Sequence, residues 1–592
     1  MTFQNLKTGL GDLVQPVLDH KVAVVCSAGL AVVVVGKVIS IARKRKLKLR
    51  VKARLEERDA MIEKLRKHLN EASESVLERR EAITALPFQQ LVDELQKGTI
   101  SAKEAVEAYQ WRAIEAHNQT NSICLFFPDA ADWADDLDRR YQTDDKPPLF
   151  GVPVSIKETV AVRGFDSTRG YANALFRPSC EDAVVVASLR RSGAIPFVHT
   201  NIPEGLFWFG CSNPIYGTTR NPHDQRLTSG GSSGGEAALL AAGGSMVGIG
   251  GDVGGSIRIP AHFCGVVGLK PSSTRLSQIG SATSVPGRPM VSPCIGPMGR
   301  DVESVVAITR WLTSDEKLYE ADPYVKPLQW REDVYQGRKQ ERLKIGFYVF
   351  DGFMEATPAC RRAVQVARQV LASNGHLLVP YQPPSSCELM RLYVGASLAD
   401  GGAYLLGMAK SDLVHPFYAP IINLYAMPGC VKRLLGHLLS RISPVASTLM
   451  LAPPVTLAEV RSIYEQVARA QFEYVRRWKA ESLDALICPA FACTAVPQHA
   501  PTRVSPAASY TTTFNILDFV AGVVPVGRVT AEDEALVRNG AYGATEVFSK
   551  TIAKHCGADS VGLPVNVQCV TLPNEEEMCL RVMKEIEQGV NQ

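Results

Sequence analysis

Two serines on glycine-rich turns and one lysine in an apolar setting carry the chemistry legible in this chain. The run Gly230-Gly231-Ser232-Ser233-Gly234-Gly235 is followed by Gly254-Gly255-Ser256, with 24 residues separating Ser232 from Ser256. Upstream, Gly151-Val-Pro-Val-Ser-Ile-Lys157 ends a strand-like segment on a lysine. A serine hydroxyl is a weak nucleophile until a base takes its proton. A lysine can be that base once burial lowers its pKa toward neutrality. Two serines and a desolvated lysine therefore make a nucleophile without histidine or metal, which points to acyl-transfer hydrolysis. Glycines beside a serine let the backbone approach a substrate closely. The N–H groups of Val253, Gly254, Gly255 and Ser256 form a nest suited to a tetrahedral oxyanion. Two structural alternatives stand beside this reading: Lys157 can be an ion-pair partner of Glu158 or Asp252, and glycine-rich turns also serve purely architectural ends.

Rival motifs fit less well. The G-x-S-x-G pattern of a nucleophile elbow matches in the frames centred on Ser232 and Ser233, but that elbow follows a hydrophobic strand. The residues before it here, Asn221 to Ser229, are polar and turn-like. A phosphate-binding loop needs Gly-Lys-Ser/Thr, which is absent, and the dinucleotide pattern from Gly248 and Gly250 meets Val253 where glycine is required.

The elements that must hold these residues alternate between strand and helix. Ser101-Ala-Lys-Glu104 is a capping box opening a helix through about His117. Residues 148–157 lead a loop into a buried strand, 183–192 read as a helix and 194–200 as a strand. The alternation continues through strand 343–350, helix 358–374, strand 377–380 and strand 483–488. It predicts an α/β fold with a central sheet covered by helices on both faces.

The stretch from Gly230 to Pro271 (GGSSGGEAALLAAGGSMVGIGGDVGGSIRIPAHFCGVVGLKP), together with GVPVSIKE at 151–158, resembles the amidase signature family over about residues 85–590. The resemblance implies the amidase-signature fold, a large twisted mixed sheet. It implies a Ser-Ser-Lys triad with Ser256 as nucleophile, Ser232 as the bridging serine and Lys157 as the base. It also implies a cis peptide at Ser232, supporting roles around the triad for Ser233, Asp252 and Arg258, and no metal or organic cofactor. An ordinary buried salt bridge remains the alternative for Arg258. Two departures stand out: Gly251 occupies a position where the family often has threonine, and Thr228-Ser229 precedes the first glycine pair where Thr-Pro is common.

Regions outside the signature bear on the substrate. Val22 to Gly36 is continuously apolar, Lys37 interrupts it, and Val38-Ile-Ser-Ile-Ala42 resumes it. About 21 helical residues span a bilayer core of about 30 Å; a cleaved signal peptide, disfavoured by the length of the run, and a soluble or interfacial helix are the alternatives to a transmembrane anchor. Arg43-Lys-Arg-Lys46, Lys48 and Arg50 then form a stop-transfer cluster that places the rest of the chain in the cytoplasm. Residues 43–84 read as a charged helical stalk. Leu55, Met61, Ile62, Leu65 and Leu69 are able to pack on the catalytic unit or on a second copy. Farther on, within a cap at about 425–452, Leu434, Leu435, Leu438, Leu439 and Ile442 share one helical face. Arg433, His437 and Arg441 share another, and a second short apolar helix follows. That is the pattern of a monotopic membrane cap; the alternative is a core helix with a basic edge. Leu206, Phe207 and Phe209 either line an acyl channel or belong to the core.

The expected organisation is a non-cytoplasmic tail at 1–21, an anchor at 22–42, the stalk, and a catalytic domain at 85–592. The expected location is an intracellular membrane, the endoplasmic reticulum, crossed once. The expected partners are a lipid amide substrate, membrane lipids and a second copy in a homodimer. A net charge of +4 gives no reason to expect nucleic acid. The 14 cysteines form no C-x-x-C pair and read as thiols in a reducing compartment. Anchor and cap together resemble those of lipid-amide-cleaving members of the amidase signature family, and that resemblance implies cleavage of fatty acid primary amides and N-acylethanolamines. A glutamine-amide hydrolysing subunit of a transamidation complex and an inactive membrane scaffold are the alternatives, the first disfavoured by the membrane features and the second by the intact triad.

Overall fold

Eleven strands form one mixed sheet in a computed structural model that describes residues 4–71, 73–142, 145–288, 290–338, 341–383, 385–454, 456–543 and 546–591, with side chains from residue 35 onward. Across the sheet the strands run Ile123–Phe126, Ile195–Thr200, Pro153–Lys157, Val247–Asp252, Cys294–Gly299, Val267–Lys270, Val520–Arg528, Pro564–Thr571, Ala485–Pro489, Lys344–Phe347 and Leu377–Pro380. Pro153–Lys157 is parallel to both its neighbours, with Ile156 opposite His199 on one side and Ile249 on the other. The middle of the sheet is antiparallel, and its far end returns to parallel pairing.

Successive strand residues point to opposite faces, so the neighbours Gly522 and Val523 report on both layers. A side chain at 522 would strike Met583 of helix Glu576–Val590. Val523 packs instead with Ala237 and Leu240 of helix Gly234–Ala241 and with Ile257 and Ala261 at helix Arg258–Cys264. Helices thus cover both faces, as the alternation predicts.

The capping box at Ser101 and Glu104 is present with both of its hydrogen bonds, and its helix runs Ala102–Thr120. Val184–Arg191, Pro358–Ser373 and the strands that accompany them fall within a few residues of the expected bounds.

The N-terminal helix is continuous over Gln4–Asn70. The apolar run Val22–Val34 lies outside the residues whose side chains are described, and the tail at 1–3 lies outside the described residues. Among the described residues no helix is long and apolar enough to cross a membrane. After the exposed cluster Arg43–Lys46 the helix docks. Leu47, Val51 and Leu55 pack with Cys124, Ile215 and Tyr216. Ile62 and Leu69 are buried in the larger core, flanked by Met61 and Leu65. A buried ion pair, Arg54 to Asp166 at 2.6 Å, pins the same helix. The charged segment therefore lies along the body of the protein, with its apolar positions turned inward.

Candidate active site

Two parallel strands deliver the site. Pro153–Lys157 and Val247–Asp252 both end at the same edge of the sheet, where α/β proteins characteristically bind ligands. Lys157 is the last residue of the first strand and Asp252 the last of the second. The turn 253–257 leads from Asp252 past Ser256 into helix Arg258–Cys264. The serine loop reaches the same place from the start of helix Gly234–Ala241.

The Lys157 side chain is buried and its Nζ has three partners. It donates to Ser232 Oγ at 2.7 Å, to Ser233 Oγ at 3.0 Å and to the Gly251 carbonyl at 3.1 Å. These are hydroxyls and a carbonyl, not a carboxylate. Glu158, one of the two acids suggested as an ion-pair partner, turns away and accepts from the N–H groups of Thr168 and Arg169. Burial lowers the lysine pKa to about 7, against the opposing pull of Asp252. Gly251 leaves room here: a Cβ at that position would sit 3.7 Å from Nζ, an ordinary contact.

The Gly231–Ser232 peptide is cis. Position 231 admits only glycine, because a side chain would collide with the Gly210 carbonyl. The two serine turns are stitched together by the Ser233 N–H, which donates to the Ser256 carbonyl at 3.0 Å.

The Asp252 carboxylate organises the turn that carries Ser256. It accepts from Gly255 N–H at 2.8 Å, Ile257 N–H at 3.1 Å and Arg258 N–H at 3.4 Å. Arg258 answers with Nε to Oδ2 and Nη2 to Oδ1, both at 3.0 Å, and neither side chain is exposed. Asn515 adds a donor at 2.8 Å. Burial alone would raise this carboxyl, but the Arg258 charge and these hydrogen bonds hold it well below the usual range. Arg258 is thus a buried salt-bridge partner that also shapes the turn. Of the four expected oxyanion donors, Gly255 N–H points to Asp252. Those of Val253, Gly254 and Ser256 meet no protein acceptor among the described residues.

Sequence reasoning misses the outer ring of this network. Arg258 Nη1 donates to Gln568 Oε1 at 2.7 Å and to the Thr511 carbonyl at 3.1 Å, and Nη2 reaches Asn515 Oδ1 at 2.5 Å. These partners lie more than 250 residues along the chain.

A cavity opens on Ser256, Val253 and Gly254. Leu206, Phe207 and Phe209 line it, as do Met390, Tyr393 and Leu449. The expected channel residues therefore share a cavity with the Ser256 turn; their neighbour Trp208 lines it too, is buried and stacks on Tyr418. The far wall comes from the cap: Ile421, Leu424, Tyr425 and Lys432. The cap consists of helices Ala419–Ala426, Gly429–Leu439 and Pro444–Leu451. The middle helix stops at Leu439, so Ile442 lies in the turn before the Ser443 cap. Leu434, Leu438 and Ile442 are exposed at 61%, 62% and 67%, whereas Leu435 and Leu439 are half-buried. Arg433 pairs with Glu459 at 2.7 Å. A core helix would not leave three large aliphatic side chains in the open.

Among the described residues no cluster of His, Cys, Asp and Glu is arranged to hold a metal.

Comparison with known proteins adds to this geometry. The family model described as Amidase matches residues 104–580. The chain is 41% identical over 517 residues to fatty acid amide hydrolase 1 of Caenorhabditis elegans, covering 87% of this chain and 90% of that one. It is 38% identical over 511 residues to fatty-acid amide hydrolase 1 of Sus scrofa, covering 86% of each. A solved fatty acid amide hydrolase structure superposes with a TM-score of 0.74 at 23% identity, covering 92% of this chain and 90% of that one. At that identity the superposition speaks to the fold.

Proposed function

The chain belongs to the amidase signature family, and from that premise we propose that it is a membrane-bound serine hydrolase cleaving fatty acid primary amides and N-acylethanolamines to fatty acid and amine. The observation that carries this reading is the contact of the Lys157 amine, held near neutrality, with Ser232 Oγ, beside a Ser256 that opens onto an apolar cavity.

Neutral Lys157 takes the Ser232 proton as Ser232 takes that of Ser256. The Ser256 oxygen attacks the amide carbonyl, and the oxyanion is held by the N–H groups of the turn, each such donor being worth roughly 10²–10³ in rate. Collapse breaks the C–N bond while Ser232 hands a proton to the departing amine and recovers one from Lys157. Water then attacks the acyl-enzyme by the same relay, and the fatty acid leaves. Asp252 and Arg258 hold the turn in shape throughout.

The membrane part of the reading rests on two features. The apolar run 22–42 with its basic flank is the single-pass anchor, with the catalytic domain facing the cytoplasm at the endoplasmic reticulum. The exposed Leu434, Leu438 and Ile442 seat the cap in the bilayer surface, and the cavity behind the cap receives lipid amides from it. A homodimer would present two caps to one membrane. The names of the Caenorhabditis elegans and Sus scrofa relatives agree with this substrate class.

An activated phosphonate probe tests the nucleophile. It should label wild type on Ser256 and leave Ser256→Ala unlabelled; labelling that persists in the variant removes Ser256 from the proposed role.

A further inference from the structure

One buried acid near the triad takes no part in the mechanism above. Glu236 lies in the first turn of helix Gly234–Ala241, just after the serine loop, and is fully buried. Its Oε1 accepts from the Ser155 hydroxyl and its Oε2 from Thr200 Oγ1 at 2.8 Å. Among the described residues no lysine or arginine pairs with it directly. A buried carboxylate without a cation in contact is costly, so a positive charge that arises nearby gains from it.

Three relationships put this carboxyl beside the base. Ser155 stands two residues before Lys157 on one strand, so their side chains share a face. Thr200 is the register partner of Lys157 on the neighbouring strand. On the other neighbour, Gly248 lies opposite Ser155, and a side chain there would strike Glu236 Oε1.

The other charged groups near Lys157 are balanced or turned away. Asp252 is paired with Arg258, and Glu158 accepts from Thr168 and Arg169. Cys211 is a thiol that burial raises to about 11. On helix Arg258–Cys264, His262 is bound to the Cys493 carbonyl. His199 turns to the far face of its strand and meets the Val160 carbonyl. Helix Ala102–Thr120 meets Gly244, just past Glu236's helix, with Ala113 and Ala116. Burial raises Glu236 to about 7, against the pull of its two hydroxyl donors and of the Lys157 charge. Acid and base therefore titrate over one range, as a pair.

We propose that Glu236 is a positioning residue for the base: its carboxylate is the counter-charge that keeps on Lys157 the proton taken from Ser256 until Ser232 returns it to the departing amine. Glu236 acts through Lys157. The helix N-terminus above it favours the ionised carboxyl. The proposal rests on the Ser-Ser-Lys reading above.

The test is the pH dependence of kcat/KM for oleamide, with the full chain in detergent, for wild type, Glu236→Gln, Glu236→Asp and Lys157→Ala. Glutamine keeps the shape and can bond both hydroxyls, but it removes the charge. The ammonium then loses stabilisation, so the ascending limb should move to lower pH by roughly 0.5–1 unit. The plateau should fall too, because a weaker base accepts the proton less well. Glu236→Asp keeps the charge and should hold the limb near its wild-type position. A limb that stays put in Glu236→Gln, whatever the plateau does, overturns the proposal and leaves Glu236 a structural tie between helix and strands. So does a limb that moves to higher pH. If Glu236→Gln does not fold, Thr200→Val carries the same test. Losing one hydroxyl donor disfavours the carboxylate, so the limb should move the same way by a smaller step, and an unmoved limb overturns the proposal. A limb that survives in Lys157→Ala overturns the Ser-Ser-Lys reading itself.

Discussion

Lys157 Nζ lies 2.7 Å from Ser232 Oγ, at the end of a buried strand and, among the described residues, with no carboxylate as direct partner. An ammonium there has hydroxyl and carbonyl oxygens to donate to, but burial works against its charge. The proton is therefore released near neutral pH, as a base requires.

The first prediction is a pH profile. Burial puts the lysine pKa at about 7, well under its ordinary value. The active form is the neutral amine, so kcat/KM for an amide should rise with pH through about 7 and then level off. One unit below that pKa, about a tenth of the plateau should remain. Lys157→Ala should abolish this limb. It should also impair amide cleavage more than cleavage of the matching ester, because the amine leaving group needs a returned proton. Equal losses on amide and ester would argue against the relay.

A second concerns the buried pair behind the Ser256 turn. Asp252→Asn leaves Arg258 charged and unpaired in a site with no exposure. Breaking one partner of a buried pair costs about 3–5 kcal/mol. Thermal unfolding should show a clear drop in Tm, and phosphonate labelling of Ser256 should slow because the carboxylate no longer gathers the N–H groups of residues 255, 257 and 258.

How far these features could be read beforehand varies with their distance along the chain. The two serine turns and the lysine strand are legible because each is a short motif with its own local conformation. The same holds for the capping box at Ser101. The partners of Arg258 are not legible: Thr511, Asn515 and Gln568 join it only because the strand Pro564–Thr571 and helix Ser509–Ile516 fold back over the site. Helix periodicity identifies Leu55, Met61, Ile62, Leu65 and Leu69 as one apolar set, yet it leaves open what covers them. The answer is the catalytic body itself. In the cap, periodicity carries the helix to Ile442, whereas the chain turns after Leu439 so that Ser443 can cap the next helix.

Gly255 supplies a third prediction. Its φ of +119° suits glycine, and a Cβ there would lie 2.7 Å from Ile259 Cδ1 and 2.8 Å from Thr511 Cβ. Gly255→Ala should therefore shift the turn that carries Ser256 and lower both phosphonate labelling and Tm. Unchanged labelling would mean that the turn tolerates the methyl group and that its shape does not limit reactivity.

A fourth addresses the membrane. Leu434 and Leu438 stand exposed on the cap. Burying a leucine side chain is worth about 1.5–3 kcal/mol, so replacing both by glutamate should weaken co-sedimentation with phosphatidylcholine vesicles by tenfold or more. The measurement should be made on protein lacking residues 1–42 and, separately, on the full chain, where the proposed anchor would mask the loss. Equal vesicle binding by the shortened protein with and without the glutamates would assign membrane attachment elsewhere.

The most direct test of the central claim is oleamide hydrolysis by the detergent-solubilised chain, wild type beside Ser256→Ala, with glutamine as the control substrate. Wild type should release ammonia from oleamide and none from glutamine, and Ser256→Ala should lose the oleamide activity by several orders of magnitude. Turnover of glutamine alone, or oleamide cleavage that survives Ser256→Ala, would contradict it.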